Sequence, residues 1–313
     1  MGGVARALLR RAAQALLVTV LVSGLCFLLV NLLPGDGALR IAEGRYGYDR
    51  VTAAAAAAVR AELGLDRPAP ERFLLWLGQL LRGDLGTSLI SGDRVAAEIG
   101  HQLGHTLLLS LAALALAALL GPPFGLLAGL RPGGAADRAG MVAAAAFRAL
   151  PVFVLGGGLM ILFGATLGWL PVAGFDTPQH LILPAVALAL GLATTSARVA
   201  RDATVAATGS AFFAFALTRG LSRAEAVGRH VPRNAAVPVL AYLAVNLALL
   251  VEGVVVVESL FAWPGIGHAL SHAIIARDVP MLQGTALCLG LLFVGLNALA
   301  DLAVIAADPR RRG

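Results

Sequence analysis

The chain has 313 residues, of which 58% are hydrophobic and only 13% are charged, and its formal net charge is +6. Because a soluble domain carries about 25% charged residues, this composition excludes an ordinary soluble protein and indicates that much of the chain lies in lipid. Every basic residue is an arginine. The arginines stand at the ends of apolar runs, where membrane topology explains them, so the positive charge predicts no nucleic-acid partner.

The first segment, residues 1–33, is predicted to be a signal-anchor helix that is retained in the mature protein. Basic residues precede about twenty apolar residues, a run that is long for a signal peptide and ends without a small-x-small cleavage site. Cys26 lies in this run and Cys288 in a later one. Neither has the spacing of a metal site or a redox pair, and we expect both to be small buried hydrophobes.

Residues 34–105 are predicted to form a small helical segment on the outer face of the membrane. Two helix-like stretches are broken at Asp66-Arg67-Pro68 and closed by the turn Gly83-Asp84-Leu85-Gly86. A segment longer than about sixty residues is translocated regardless of its charge, so the arginines within it do not hold it in the cytoplasm.

Five further apolar runs, together with the first, predict six transmembrane helices and an all-α, polytopic membrane protein. In hydrocarbon every backbone polar group has to be paired within its own segment, so runs of this length form helices. Glycine and proline inside them, such as Gly121, Gly156 and Pro184, are interpreted as sites of kinks or close packing. We expect residues 106–306 to form a five-helix core and residues 307–313 a tail. The six runs are 12–33, 106–130, 141–167, 180–200, 236–257 and 284–306.

The distribution of arginine orients these helices. The N-terminus, the loops after the second and fourth spans and the C-terminal tail are rich in arginine, whereas loop 168–179 has none and loop 258–283 has only Arg277. By the positive-inside rule, both termini and the loop 201–235 are predicted to be cytoplasmic.

That cytoplasmic loop contains a capping box, Ser222-Arg223-Ala224-Glu225, which predicts the start of a short helix. Gly220 permits the preceding turn, and Pro232 is expected to limit the length of the helix. Such a helix either rests on anionic lipid headgroups or docks on a partner protein. Its expected apolar stripe consists of Ala224, Val227 and Val231.

Ionisable residues within or beside the spans are functional candidates by default: Glu252, Glu258 and Asp301. Each also has a structural alternative, since Glu258 could cap a helix or pair with Arg277. The stretch Trp263-Pro264-Gly265-Ile266-Gly267 is typical of a tight turn with an aromatic ring at the membrane boundary. His268 and His272 are four residues apart, but a bare pair predicts no metal site.

Several motifs follow one another nearly from end to end of the chain. They are Leu33-Pro34-Gly35-Asp36, LGLDRP (63–68), GDLGTSL (83–89), Thr106-Leu107, LGWLPVAG (167–174), RGLS (219–222), RHVPRNAAVP (229–238), VVVESLFAWPGIGHAL (255–270), RDVPMLQG (277–284) and Asp308-Pro309-Arg310. In this order and spacing the chain resembles the B-type permease subunit of the dipeptide, oligopeptide and nickel ABC importers, a binding-protein-dependent transport system inner membrane component.

The resemblance implies a permease in the bacterial plasma (inner) membrane. It implies a heterodimer with a second permease subunit, two cytoplasmic ATPase subunits and an extracytoplasmic solute-binding protein. This chain would be a non-catalytic transport subunit without a cofactor, because ATP and Mg are bound by the ATPases. The absence of lysine agrees with this division, since a phosphate-binding loop requires one. The implied cargo is a di- or oligopeptide, with nickel or another small solute as the alternative.

The resemblance also assigns residues to roles. The loop around Gly220 corresponds to the EAA-motif loop, whose coupling helix docks in a cleft of the ATPase, although the upstream stretch AFALTR (214–219) departs from the family pattern and the motif's glutamate is absent. The coupling residues are Arg219, Gly220, Leu221, Ser222, Glu225, His230, Arg233 and Asn234. The residues of the translocation path or outer gate are Glu252, Glu258, Trp263, Pro264 and Asp278, and alternating access by rocking of the two permeases is the implied mechanism.

Two other classes of function are compared with this one. A channel or an ion-coupled secondary transporter would show inverted repeats and paired intramembrane charges, and neither is apparent in the sequence. A membrane enzyme would need clustered histidine, aspartate or cysteine near one interface, but the histidines are scattered.

Overall fold

The computed structural model describes the backbone of residues 3–32, 35–47, 51–64 and 66–307. Its side-chain description leaves out residues 3–8, 30–31, 248–249, 251–253 and 300–307. The described residues are predominantly α-helical, as the composition predicts. The chain divides into two compact units: an N-terminal unit built from Leu9–Thr106 and Pro264–Gly295, and a central unit built around Leu107–Trp263.

The N-terminal unit contains four helices before the first long span of the central unit: α1 (Gly3–Leu32, from Leu9 onward), α2 (Gly37–Tyr46), α3 (Ala53–Glu62) and α4 (Ala69–Leu80). Both predicted helical stretches are present as α3 and α4, with the predicted break between them, and α2 is an additional helix. The unit also holds the beginning of α5 (Val95–Leu130), α11 (Ile266–Ala276) and most of α12 (Val279–Ala307).

Side-chain caps fix where the small helices of this unit begin. Asp36 accepts a hydrogen bond from the Ala38 N–H at 2.9 Å, and the Thr52 hydroxyl accepts one from the Ala55 N–H at 3.2 Å. Arg60 of α3 pairs with Asp36 at 2.5 Å, and its hydrogen bond lowers the pKa of the Asp36 carboxyl. The start of α2 is therefore tied to α3.

Two apolar clusters form the core of the N-terminal unit. One joins α2 and α3 through Ala38, Ile41, Ala42 and Val59. The other joins α5, α11 and α12 through Val95, Ile99, Ile266, Ala273, Met281 and Leu282. Cys26 and Cys288 are half-buried free thiols packed against the second cluster, less enclosed than the sequence predicts.

The central unit contains the remainder of α5, followed by α6 (Ala135–Ala149) and α7 (Val152–Leu159), which continues as a π-helical turn over Met160–Thr166. A 3₁₀ turn (Pro178–Leu181) leads into α8 (Ile182–Thr208), and α9 (Ala211–Thr218) and α10 (Arg223–Leu260) follow. Its largest apolar cluster is formed by buried side chains of α5, α8 and α10 together with Phe261 and Trp263.

Glycines at four-residue spacing bring α5 into close contact with α8. A Cβ at Gly125 would overlap the carbonyl oxygen of Ala197, and one at Gly129 would lie 2.7 Å from the carbonyl oxygen of Arg201. Small residues at this spacing allow two helix backbones to approach closely. The predicted packing role of Gly121 is confirmed, because its Cβ would overlap the Ser196 hydroxyl. Gly156 packs in the same way against Leu260 and Phe261.

In the described residues, four helical segments are long and apolar enough to cross a membrane: Leu9–Leu29, Val95–Leu130, Pro178–Thr208 and Val279–Leu299. A fifth span is obtained if Ala135–Ala149 and Val152–Thr166 are counted together. The prediction of one uninterrupted helix over 141–167 is wrong, because these two parts meet at 102°. Leu150 precedes Pro151 and adopts an extended conformation with ψ 126°, as the clash with the proline ring requires.

Candidate functional site: a helical hairpin and two interhelical cavities

The predicted coupling segment folds as the end of α8, the short helix α9 and the beginning of α10. Ser210 caps α9, and its hydroxyl accepts a hydrogen bond from the Phe213 N–H at 3.4 Å. The chain then reverses through Arg219 and Gly220, whose φ of +89° is a conformation that favours glycine. Gly220 therefore has the predicted turn role.

The predicted capping box is confirmed at the start of α10. The Glu225 N–H donates to the Ser222 hydroxyl oxygen at 3.3 Å, and the Ser222 N–H donates to the Glu225 carboxylate at 2.9 Å. The Ser222 hydroxyl also donates to that carboxylate at 2.7 Å. These hydrogen bonds stabilise the charged form and lower the pKa of Glu225.

The prediction that Pro232 limits the helix is wrong, since α10 continues through Pro232 to Leu260. Proline removes one backbone donor, but the surrounding turns are held by the burial of Ala226, Val231 and Ala235. The predicted stripe is also displaced, because Ala224 is exposed. The separate short helix is instead α9, upstream of Gly220.

A shared apolar cluster anchors α9 to its neighbours. Phe213 and Ala216 of α9 pack with Ala207 of α8 and with Ala226 and Val231 of α10. Leu126 of α5 and Leu221, a predicted coupling residue, pack against the same cluster. The helix is therefore held on one face by three other helices.

The sides of α9 that do not pack into this cluster expose large apolar side chains. Phe212 is 43% exposed, Phe215 is 62% exposed and Leu217 is 39% exposed. The guanidinium of Arg219 lies 5.8 Å from the centre of the Phe215 ring, and the His230 ring lies edge-on to Phe212 at 6.0 Å. We call Phe212, Phe215 and Leu217 the α9 surface.

The remaining predicted coupling residues lie on α10. Arg233 and Asn234 are exposed, and His230 is half-buried. The Asn234 amide donates to the His230 carbonyl oxygen at 2.7 Å, which is a contact within the helix. The structure thus brings Arg219, His230 and the capping box to the turn beside α9. The sequence did not identify the α9 surface.

Two predicted path residues are buried in the central unit. Glu258 is fully buried, and Trp263 is 1% exposed, so the Trp263 ring packs inside the protein. The Trp263 ring packs edge-on against Phe175 at 5.0 Å, and the backbone N–H of Trp263 donates to the Glu258 carbonyl oxygen at 2.8 Å. Pro264, in the N-terminal unit, is half-buried. The side chains of Glu252 and Asp301, and the motif Asp308-Pro309-Arg310, lie outside the described residues.

Asp278 joins two distant motifs within the N-terminal unit. Its carboxylate accepts hydrogen bonds from the Ser88 hydroxyl, from the Leu89 N–H at 3.1 Å and from the Met281 N–H at 3.3 Å. It is 3% exposed. The neighbouring Arg277 donates to the Gly35 carbonyl oxygen at 3.0 Å. Asp278 thus caps α12 and holds the GDLGTSL segment against it.

The histidine pair His268 and His272 places its two Nε2 atoms 3.1 Å apart, and burial together with the charge of His272 lowers the pKa of His268. His101 and His105 form a similar pair at 3.3 Å. Among the residues the structure describes, no third metal-binding side chain joins either pair.

A partly buried ion pair fastens α6 to α8. Arg201 donates from Nε and Nη2 to the two carboxylate oxygens of Asp137, both at 2.9 Å, and the Gly133 N–H donates to the same carboxylate at 2.8 Å. Asp202 accepts from Nη1 of Arg201 at 2.9 Å. No sequence pattern indicated this pair, because its members are far apart in the chain and the arginines were interpreted only as topology signals.

Two cavities lie between the helices of the central unit. The first, of about 280 Å³, is bounded by α5, α6 and α8 and includes Arg148, Arg198 and the Arg201 pair. The second, of about 290 Å³, lies between the α6–α7 bend, α8 and α10 and includes Tyr242 and Asn246. Thr195 of α8 lines both.

Two sequence profiles match nearly the whole chain. The N-terminal domain of the binding-protein-dependent transport system membrane components matches residues 4–108, and the binding-protein-dependent transport system inner membrane component matches residues 121–313. The chain belongs to this permease family. The predicted membership is confirmed, and the permease is accordingly a non-catalytic component of an ABC transport system in the inner membrane.

Curated relatives agree with the profiles. The permease is 37% identical to the glutathione transport system permease protein GsiC of Pectobacterium atrosepticum over 94% of each chain. It is 38% identical to a putative peptide transport system permease protein of Brucella abortus, over 97% of this chain and 98% of the relative. A crystal structure of an amino acid ABC transporter with histidines shares its fold, with a TM-score of 0.54 and 16% identity over 67% of the permease and 94% of that chain.

Proposed function

We propose that the permease is one membrane half of an ATP-driven importer for di- or oligopeptides. It pairs with a second, similar permease, two cytoplasmic ATPases and an extracytoplasmic binding protein that delivers the solute. The relatives named for glutathione and peptide transport support this cargo class. The observation that carries the proposal is the α9 surface, an exposed apolar face on a short helix that is rigidly held on its other side.

The α9 surface suits a partner cleft better than it suits water. Three large apolar side chains are exposed on an eight-residue helix. Burial of such a side chain contributes about 1.5–3 kcal/mol, so this face can supply much of a docking interaction. Because Phe213 and Ala216 fix the opposite face, closure of an ATPase cleft around α9 would move α9 together with α8 and α10. The turn at Gly220 and the capping box hold α9 in a fixed position relative to α10.

The membrane arrangement follows from the same proposal. The six spans are α1, α5, the bent pair of α6 and α7, α8, α10 and α12, with both termini and the segment 201–235 in the cytoplasm. Residues 34–105 lie on the outer side, residues 106–306 form the permease core and residues 307–313 form the tail. The residues assigned to the translocation path or outer gate are Glu252, Glu258, Trp263, Pro264 and Asp278.

Co-purification tests the proposal. The tagged permease is expressed with the products of neighbouring genes and purified in mild detergent. We expect recovery of a second permease and two ATPase subunits, and loss of the ATPases alone when Phe212 and Phe215 are both replaced by alanine. Recovery of the permease as a monomer that transports solute by itself would contradict the proposal.

A further inference from the structure

The first cavity carries more positive charge than its own carboxylates neutralise. Asp137 and Asp202 both pair with Arg201. Arg148 and Arg198 also line the cavity; both are exposed, and in the part of the chain that the structure describes neither forms an ion pair. A guanidinium is always charged and pairs with a carboxylate through two parallel hydrogen bonds. The cavity is therefore suited to an anionic group.

The second cavity shares one wall residue with the first and is lined by neutral polar groups. Thr195 lines both cavities, and α10 contributes the phenol of Tyr242 and the amide of Asn246. The other walls are apolar, with Leu155 and Leu188 among them. The Asn246 amide donates to the Tyr242 carbonyl oxygen at 2.8 Å and the Thr195 hydroxyl donates to the Gly191 carbonyl oxygen at 3.1 Å. The remaining lone pairs of these groups and the second amide hydrogen of Asn246 can pair with the backbone of a peptide.

The size of the cavities limits what they can hold. Each is close to the lower bound of about 300 Å³ for pockets that enclose a small ligand. One cavity therefore has room for a terminal residue and its charge, but not for a whole peptide.

We propose that Arg148 and Arg198 bind the C-terminal carboxylate of a peptide in transit, and that Thr195, Tyr242 and Asn246 line its way along the permease. The inference rests on the proposed function, because it names a contact for the proposed cargo. A lipid phosphate would also pair with the arginines, but it would not use the phenol and amide of the second cavity. A peptide accounts for both cavities.

The test uses the complete transporter reconstituted in phosphatidylcholine vesicles, with its second permease, ATPases and binding protein. Uptake of one labelled tripeptide is compared with uptake of its C-terminal amide. We expect Arg148→Gln combined with Arg198→Gln to lower the ratio of kcat/KM for acid over amide about tenfold, the loss of one charge-assisted pairing. Arg138→Gln is the matched control, since Arg138 is exposed on the same helix and does not line the cavity. The binding protein is the same throughout, so a change in this ratio reports the permease.

Three outcomes would overturn the inference. If the ratio of kcat/KM for acid over amide is unchanged in the double variant, Arg148 and Arg198 do not bind the carboxylate, although peptide import itself can still occur. A requirement for anionic phospholipid that the double variant abolishes, with the ratio unchanged, assigns the arginines to a lipid headgroup. Failure of the wild-type transporter to take up either peptide contradicts the proposed function as well.

Discussion

Replacing Phe215 by alanine should weaken the binding of the ATPase without destabilising the permease. Phe215 is 62% exposed, so the truncation leaves no cavity in the core. A phenylalanine presents about 200 Å² of surface, so docking can bury about 120 Å² of this ring. At about 25 cal/mol per Å² that burial is worth about 3 kcal/mol. Interface ordering reduces this gain, and we expect a loss of about 1–2 kcal/mol, or about 5–30-fold in Kd.

The assay measures the Kd of the purified ATPase for the detergent-solubilised permease pair, together with the thermal unfolding of the permease. Phe153→Ala is the matched control, because Phe153 is 53% exposed on α7 and is remote in sequence from the α9 surface. We expect an unchanged Tm for both variants and a weaker Kd for Phe215→Ala alone. Equal affinities for wild type and both variants would refute the reasoning that α9 docks through its apolar face.

Three further predictions concern stability and pH. Ser88→Ala removes a hydrogen-bond donor to the buried carboxylate of Asp278 and should lower the unfolding free energy by about 1.5–3 kcal/mol. Thr87→Ala is the control and should have little effect. Thermal unfolding in detergent compares the two variants. Gly125→Leu should separate α5 from α8 and lower the unfolding free energy by about 1–3 kcal/mol or more. Thermal unfolding of Gly157→Ala, where an added Cβ contacts nothing, should show a much smaller change. Because the pKa of Glu225 is lowered on folding, its cap stabilises the protein above the unfolded pKa of about 4.3 and is lost as the pH falls through the folded value. The stability difference between wild type and Glu225→Gln should therefore be largest near neutral pH and vanish in acid, and a difference that persists in acid would contradict this role of the cap.

Local signals in the sequence predicted local structure well. The Ser222–Glu225 capping box, the turn at Gly220 and the break before α4 each depend on a few neighbouring residues, and the structure has all three. Pro232 misled the prediction because tertiary burial of Ala226 and Val231 holds α10 together across it.

Features that depend on distant contacts were not predictable from one sequence. The pair of Asp137 with Arg201 requires α6 to lie beside α8, and nothing near either residue indicates that. The burial of Trp263 likewise depends on Phe175, which belongs to another segment of the chain. The AFALTR stretch is a departure from the family pattern in sequence, but in three dimensions Phe215 and Leu217 contribute the exposed face of α9.

The most direct test of the account is peptide uptake into vesicles that contain the permease, its second permease and its ATPases, with the binding protein outside. We predict that uptake requires the binding protein and requires ATP on the side of the membrane that the ATPases face. The combined replacement of Phe212 and Phe215 with alanine should strongly reduce this uptake. Uptake by the permease alone, driven by an ion gradient and unaffected by those replacements, would contradict the account.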